Sequence, residues 1–277
     1  MFNISEAETK EFTEKYEICD AHAHIFPEKI SQKAVSSIGS FYDIPMTFKN
    51  ATADELIESG NQICVTHYLV CSTATVHHQV ESINSFIIQE CRLHPEFIGF
   101  GTLHPDYDNI ENEVKRIMDS GLKGIKIHPD FQRFYIDEDK AFKIYEAIEG
   151  KLPILIHMGD PRYDYSRPKR LENIMKAFPK LDVFAAHLGG YERWDEAVTC
   201  LFGKNIHFDS SSSLEFMSAE YARDIIRGFG ADNIFFGTDF PMWDHFSEVQ
   251  RFMKLNLSDD ENKKILSGNF KRFFKLK

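Results

Sequence analysis

No apolar run in this chain approaches the roughly 18 residues that a bilayer-spanning helix needs. The start, Met1 to Lys10, is polar and acidic and has no basic flank followed by an apolar stretch, so it does not read as a targeting segment. Positive charge is also short: 32 Lys+Arg against 43 Asp+Glu leave a formal net charge of −11, which disfavours nucleic acid and anionic membrane as partners. The five cysteines, Cys19, Cys64, Cys71, Cys91 and Cys200, are odd in number and form no Cys-x-x-Cys pair, which excludes a disulfide scaffold and suits reduced thiols in a cytoplasm. Glycines at 99, 101, 121 and 124 make no dinucleotide or phosphate fingerprint, so no nucleotide cofactor is expected. Pro/Gly/Ser linkers and low-complexity tracts are missing too, and residues 1–277 are expected to form one domain.

What is present is an ordinary globular composition, 43% hydrophobic and 27% charged over 277 residues, enough to bury a sizeable core. Eight short β-rich runs alternate with longer stretches of helical apolar spacing. The runs are Tyr16–Ala23, Ile63–Cys71, Ile98–His104, Gly124–His128, Pro153–His157, Val183–His187, Ile206–Ser210 and Ile234–Asp239. Helices are predicted over Val80–Leu93, Asn109–Ser120, Glu138–Glu149, Lys169–Phe178, Ala219–Gly228, Asp244–Leu255 and Asp259–Phe274. Eight βα units predict an α/β fold, a (β/α)8 TIM barrel, which the family resemblance given below implies in a distorted form. The long connection from Ile25 to Asn50 is expected to carry a small helix.

Several runs end in a group able to bind metal or move a proton: His22 and His24, His104, His128, His157, His187 and Asp239. In a parallel barrel the C-terminal strand ends open on one face, where such folds keep their active sites. His22-Ala23-His24 places two imidazoles on one side of a strand. His157 and Asp239 could add a third imidazole and a carboxylate, a set that suits Zn²⁺ and other borderline divalent ions. Any one of these histidines alone would read as an ordinary hydrogen-bonded residue. Polar groups that repeatedly terminate apolar strands, however, would cost several kcal/mol unless paired or metal-bound.

These residues resemble the amidohydrolase superfamily, in the branch that contains aminocarboxymuconate-semialdehyde decarboxylase. The resemblance runs from Asp20 to Phe274. It rests on Asp20-Ala21-His22-Ala23-His24-Ile25-Phe26-Pro27, Gly124-Ile125-Lys126-Ile127-His128-Pro129, Leu152-Pro153-Ile154-Leu155-Ile156-His157, Ala186-His187-Leu188-Gly189-Gly190, Phe236-Gly237-Thr238-Asp239-Phe240-Pro241 and Ile265-Leu266-Ser267-Gly268-Asn269-Phe270. It implies one divalent metal, most often zinc with manganese as the alternative, on His22, His24, His157 and Asp239. His187 would be the acid/base, and Asp239 would be both ligand and proton shuttle. A dimer or larger homo-oligomer is also implied. Lys126 stands where binuclear members carry a carboxylated, bridging lysine; a buried ion-pair role is its alternative.

His128 is expected to contact substrate or to support the site from behind, with an ordinary structural histidine as the competing reading. Arg162 could hold a substrate carboxylate in a bidentate pair, or be a solvated loop arginine. Tyr163, Tyr165, Trp243, Phe41 and Tyr42 could wall a pocket for a flat substrate, or simply pack their loops. Ser212 with Glu215 fits a capping box, so the serines from Ser210 to Ser213 are expected to start a helix and not to act as nucleophiles. His67, His77, His78, His94, His207 and His245 are expected at the surface.

The function expected from these residues is hydrolysis of a small carboxylated amide, lactone or ester by a metal-bound hydroxide. The alternative is a non-oxidative, metal-dependent decarboxylase of an aromatic or unsaturated carboxylic acid. A second alternative is a barrel that binds metal or a small ligand without catalysis.

Overall fold

The computed structural model describes residues 4–277. Eight strands occur in the predicted places: β1 Ile18–His24, β2 Val65–Cys71, β3 Phe97–Thr102, β4 Gly124–Ile127, β5 Ile154–Ile156, β6 Val183–Ala185, β7 His207–Asp209 and β8 Ile234–Phe235. They are hydrogen-bonded in chain order, β1 to β8, in one eight-stranded sheet with helices between successive strands, the α/β topology of a (β/α)8 barrel. Strands β3 to β7 pair in parallel, with Lys126 opposite Thr102 on one side and Leu155 on the other. Apart from the half-buried His207, their residues are buried, as in Ile154-Leu155-Ile156, because the strands of an all-parallel sheet are covered on both faces.

The predicted helices form to within two residues at each end, and Val80–Leu93 matches at both ends. The last of them is interrupted by one π-helical stretch, Lys264–Gly268. The helix in the long first connection runs over Glu28–Tyr42, fifteen residues, and is larger than expected. Three helices of eight or more residues went unpredicted: Glu6–Lys15, Ala53–Asn61 and Trp194–Leu201. The first two begin with reciprocal capping boxes, Ser5 with Glu8 and Thr52 with Glu55, whose S/T-x-x-E spacing is legible in the sequence.

The chain divides into two compact units. One comprises the described residues up to Leu69 together with Ser210–Lys277, and the other is Val70–Asp209. Among the described residues no helix is long and apolar enough to cross a membrane.

Candidate metal centre and its supporting side chains

In the first unit, β1 delivers His22 and His24 to one side, and their Nε2 atoms lie 3.2 Å apart. Asp239 Oδ1 stands 3.2 Å from His24 Nε2 and 3.6 Å from His22 Nε2. The three atoms form a triangle whose sides match the roughly 3.3 Å between ligands that each bind one ion at about 2.05 Å in tetrahedral geometry. The donor chemistry and the spacing both fit a divalent cation.

The segment after β8 does not continue as a regular strand. It follows β1 closely: Phe236 O accepts from Ala21 N, His22 O from Asp239 N, and Phe240 O from His24 N, each at 2.8 Å. Gly237 permits this approach, since a Cβ there would lie 3.1 Å from His22 Cβ. Asp239 itself has φ +60°, a left-handed conformation costly for most side chains but more accessible to Asp, and strain of this kind gathers at functional sites.

Asp20 ties the arrangement together. Its Oδ1 accepts from His22 N (2.9 Å) and Thr238 N (3.0 Å), and its Oδ2 accepts from Thr238 Oγ1 (2.6 Å). His245 Nε2 is 3.1 Å from the same Oδ2, and its Nδ1 is 2.8 Å from Ser59 Oγ. The expectation of a surface position for His245 is therefore corrected: it is fully buried, its Nδ1 paired with the Ser59 hydroxyl and its Nε2 lying beside the Asp20 carboxylate without a hydrogen bond. Nothing in local sequence spacing links residues 20, 59 and 245.

The serine run is also reassigned. Ser212 has φ +45° and caps no helix; the following helix, Ala219–Phe229, is capped by Ser218. The four hydroxyls are buried and face inward. Ser210 Oγ accepts from Gly237 N, Ser211 Oγ lies 3.0 Å from His22 Nδ1, Ser212 Oγ donates to Asp239 Oδ2 at 2.6 Å, and Ser213 Oγ donates to Ser211 O. Trp243 Nε1 donates to Ser212 Oγ at 3.0 Å, so this ring, read from sequence as either a pocket wall or loop packing, supports Asp239 through the serine.

In the second unit, β4, β5 and β6 lead into His128, His157 and His187, each just beyond its last paired residue. His157 Nε2 is 2.9 Å from Gly159 O. A carbonyl can only accept, so Nε2 carries the hydrogen and Nδ1 holds the lone pair. That Nδ1 is 2.9 Å from His187 Nε2. His157 can therefore ligate a metal only through Nδ1, and His187 carries its donor toward the same atom.

His187 has φ +59°. Its backbone is held by Asp209 Oδ1, which accepts from His187 N at 3.2 Å, and by Trp194 Nε1, which donates to His187 O at 2.9 Å. Gly159, at φ +78°, is equally constrained, since a Cβ there would lie 2.6 Å from the Tyr191 backbone.

His128 is sandwiched between Phe131 and His157, with ring centroids 3.8 Å apart on each side, and Phe131 N donates to its Nδ1 at 3.4 Å. Asp130, unremarked in the sequence, lies 3.7 Å from His157 Nε2 through its Oδ2, which also accepts from Ser166. Burial pushes its carboxyl up to about 7, against the hydrogen bond from Ser166. Arg162 has its fork engaged by Asp160, Nε and Nη2 donating to the two oxygens at 2.9 and 2.6 Å. Lys126 is fully buried on β4. Tyr163 and Tyr165 stack with centroids 5.9 Å apart, and Phe41 meets Tyr42 edge-on at 4.9 Å.

Parallel (β/α)8 topology with imidazole and carboxylate donors at strand ends defines an α/β protein equipped to hold a divalent cation. The chain belongs to the amidohydrolase family: the family model matches residues 19–276. Among curated proteins, none matches this sequence.

Solved structures share the fold. An uncharacterised TIM-barrel protein from Bordetella bronchiseptica superposes with a TM-score of 0.76 at 17% identity, covering 94% of this chain and 98% of its own. A 5-carboxyvanillate decarboxylase from Sphingomonas paucimobilis gives 0.70 at 15% identity, with 94% and 99% coverage. A dihydroxybenzoic acid decarboxylase from Polaromonas sp. JS666, with bound manganese and the inhibitor 2-nitroresorcinol, gives 0.72 at 15% identity, with 94% and 97% coverage. These neighbours overturn the hydrolase expectation, attack on an amide, lactone or ester: those named for an activity are decarboxylases. Nor do they single out zinc, since the metal seen in the Polaromonas structure is manganese.

Proposed function

We propose that this protein is a metal-dependent, non-oxidative decarboxylase of a small aromatic or unsaturated carboxylic acid. The observation that carries the reading is the triangle of His22, His24 and Asp239 donor atoms on a fold shared with decarboxylases of carboxylated phenols. In this reading His22, His24 and Asp239 hold one divalent cation, with manganese and zinc both compatible with the donors. When bound, such an ion supplies positive charge that neutralises the substrate carboxylate and a neighbouring oxygen.

The chain's own groups do the rest. The bond between the carboxyl and its ring or vinyl carbon breaks, the electron pair stays on that carbon, and CO₂ leaves. A proton that His187 carries, or that Asp239 first takes up and then passes on, completes the new C–H bond, so no oxidant or reductant is consumed. His187, with a donor on Nε2, is built to give a proton. Arg162 would exchange Asp160 for a substrate carboxylate, a bidentate pair of the same kind. His128 offers a flat, stacked edge to the substrate ring.

The test is CO₂ release from a panel of hydroxy- and methoxy-substituted benzoates, using protein purified without chelator and loaded with Mn²⁺ or Zn²⁺. Metal-dependent release that disappears in Asp239→Asn is expected. Metal binding with no CO₂ from any member of the panel would overturn the reading.

A further inference from the structure

We infer that Ser211 and Ser212 are positioning residues that prepare His22 and Asp239 for the cation, an inference that rests on the metal-binding reading above. Both hydroxyls are buried, both follow β7, and each meets the far side of a donor residue. For His22 to offer the lone pair of Nε2 toward His24 and Asp239, its hydrogen must sit on Nδ1. The atom 3.0 Å from Nδ1 is Ser211 Oγ, which can accept that hydrogen and hold the ring in the ligating tautomer.

Ser212 acts on Asp239. Its hydroxyl has one hydrogen, and Trp243 Nε1–H already donates to the oxygen. Of the two acceptors in reach, the carboxylate oxygen Oδ2 at 2.6 Å takes that hydrogen ahead of the Met242 thioether at 3.4 Å, because a charged oxygen is the stronger acceptor. Oδ2 is thereby occupied and oriented, and Oδ1 is the oxygen presented to His22 and His24. The relay from Trp243 through Ser212 to Asp239 thus sets one-oxygen ligation. It also accounts for a non-glycine residue at φ +45°: the left-handed turn at Ser212 aims its hydroxyl at the carboxylate.

Titration of the metal-free full chain with Mn²⁺ tests this, comparing wild type with Ser211→Ala, Ser212→Ala and Ser212→Gly. Ser212→Gly removes the hydroxyl while relaxing the backbone, so agreement with Ser212→Ala separates the hydroxyl from strain. Each variant is expected to keep the wild-type metal count but to bind Mn²⁺ about 10-fold or more weakly, the usual scale for groups that orient a ligand. Wild-type affinity in all three would overturn the inference.

Nitrogen-15 histidine spectra of the metal-free protein supply a readout that does not depend on metal. His22 is expected to carry its hydrogen on Nδ1 and to become a tautomer mixture in Ser211→Ala; a hydrogen on Nε2 in wild type would sink the idea. If wild type takes up no Mn²⁺, the proposed function fails, and the spectra still decide the tautomer assignment.

Discussion

Around His22, hydroxyls and a carboxylate do the orienting; around His157, a backbone carbonyl and stacked rings do it. In the first unit three donor atoms face one another within 3.6 Å, and the groups behind them, Ser211, Ser212 and Asp20, satisfy the remaining polar atoms. In the second unit Gly159 O sets the His157 tautomer, His128 and Phe131 fix the stack, and the nitrogen that His157 has left faces another imidazole at 2.9 Å. In the first cluster the donor atoms converge, which is what the proposed cation site requires. The second pairs a lone pair with a donor, the arrangement suited to passing a proton.

The largest expected effect that would break this contrast comes from His22→Ala. It should abolish stoichiometric metal binding, read as metal per chain by atomic emission, because it removes one donor of the triangle and leaves two. Retained metal would place the ion elsewhere.

Next comes His245→Ala, which takes the neighbour from the buried Asp20 carboxylate and the partner from Ser59. A loss of about 3 kcal/mol in urea unfolding is expected, since the missing ring leaves a cavity and the buried Ser59 hydroxyl loses its partner. The metal affinity should fall as well, because Asp20 also holds the His22 and Thr238 amides.

His187→Ala sharpens the contrast from the other unit. It should keep the metal and lower turnover by about 10²-fold or more, the usual scale for a positioned acid/base and about 2.7 kcal/mol in barrier. Metal loss in this variant would make His187 a ligand and not a proton carrier.

The smallest effect concerns the pH dependence of stability. Glu248 is buried on the helix His245–Met253, and burial pushes its carboxyl up to about 8 even with Arg251 beside it. The folded state therefore holds this proton at pH values where the unfolded chain has released it. The stability contributed by Glu248 is present below the ordinary value of 4.5 and is lost as pH rises from there to about 8. Glu248→Gln should flatten the fall in melting temperature between pH 5 and 8; an unchanged slope would show that Glu248 ionises normally.

Much of this molecule was legible one residue at a time. Short β-rich runs bounded by turn residues, with 3.6-period apolar spacing between them, located all eight strands and most of the long helices, since both report segments that must be buried. The strand-end histidines were legible for the same reason, as polar groups terminating apolar runs. Strand ends were read too long: Gly124–His128 and Ile234–Asp239 stop at Ile127 and Phe235, because His128 caps the next helix and Asp239 adopts a left-handed backbone. The serine run was misread because Ser212-x-x-Glu215 satisfies a local capping rule that the turn at Ser212 overrides.

Sequence alone determined the βα rhythm, the family and the His-x-His pair, because these depend on residues near one another along the chain or on motifs with fixed spacing. Only the tertiary structure decided that Asp20 meets Thr238 and His245, that Ser211 backs His22, and that Ser212 and Trp243 hold one oxygen of Asp239. Those partners lie up to 225 residues apart, and a hydrogen bond depends on distance and direction in space, to which separation along the chain is no guide.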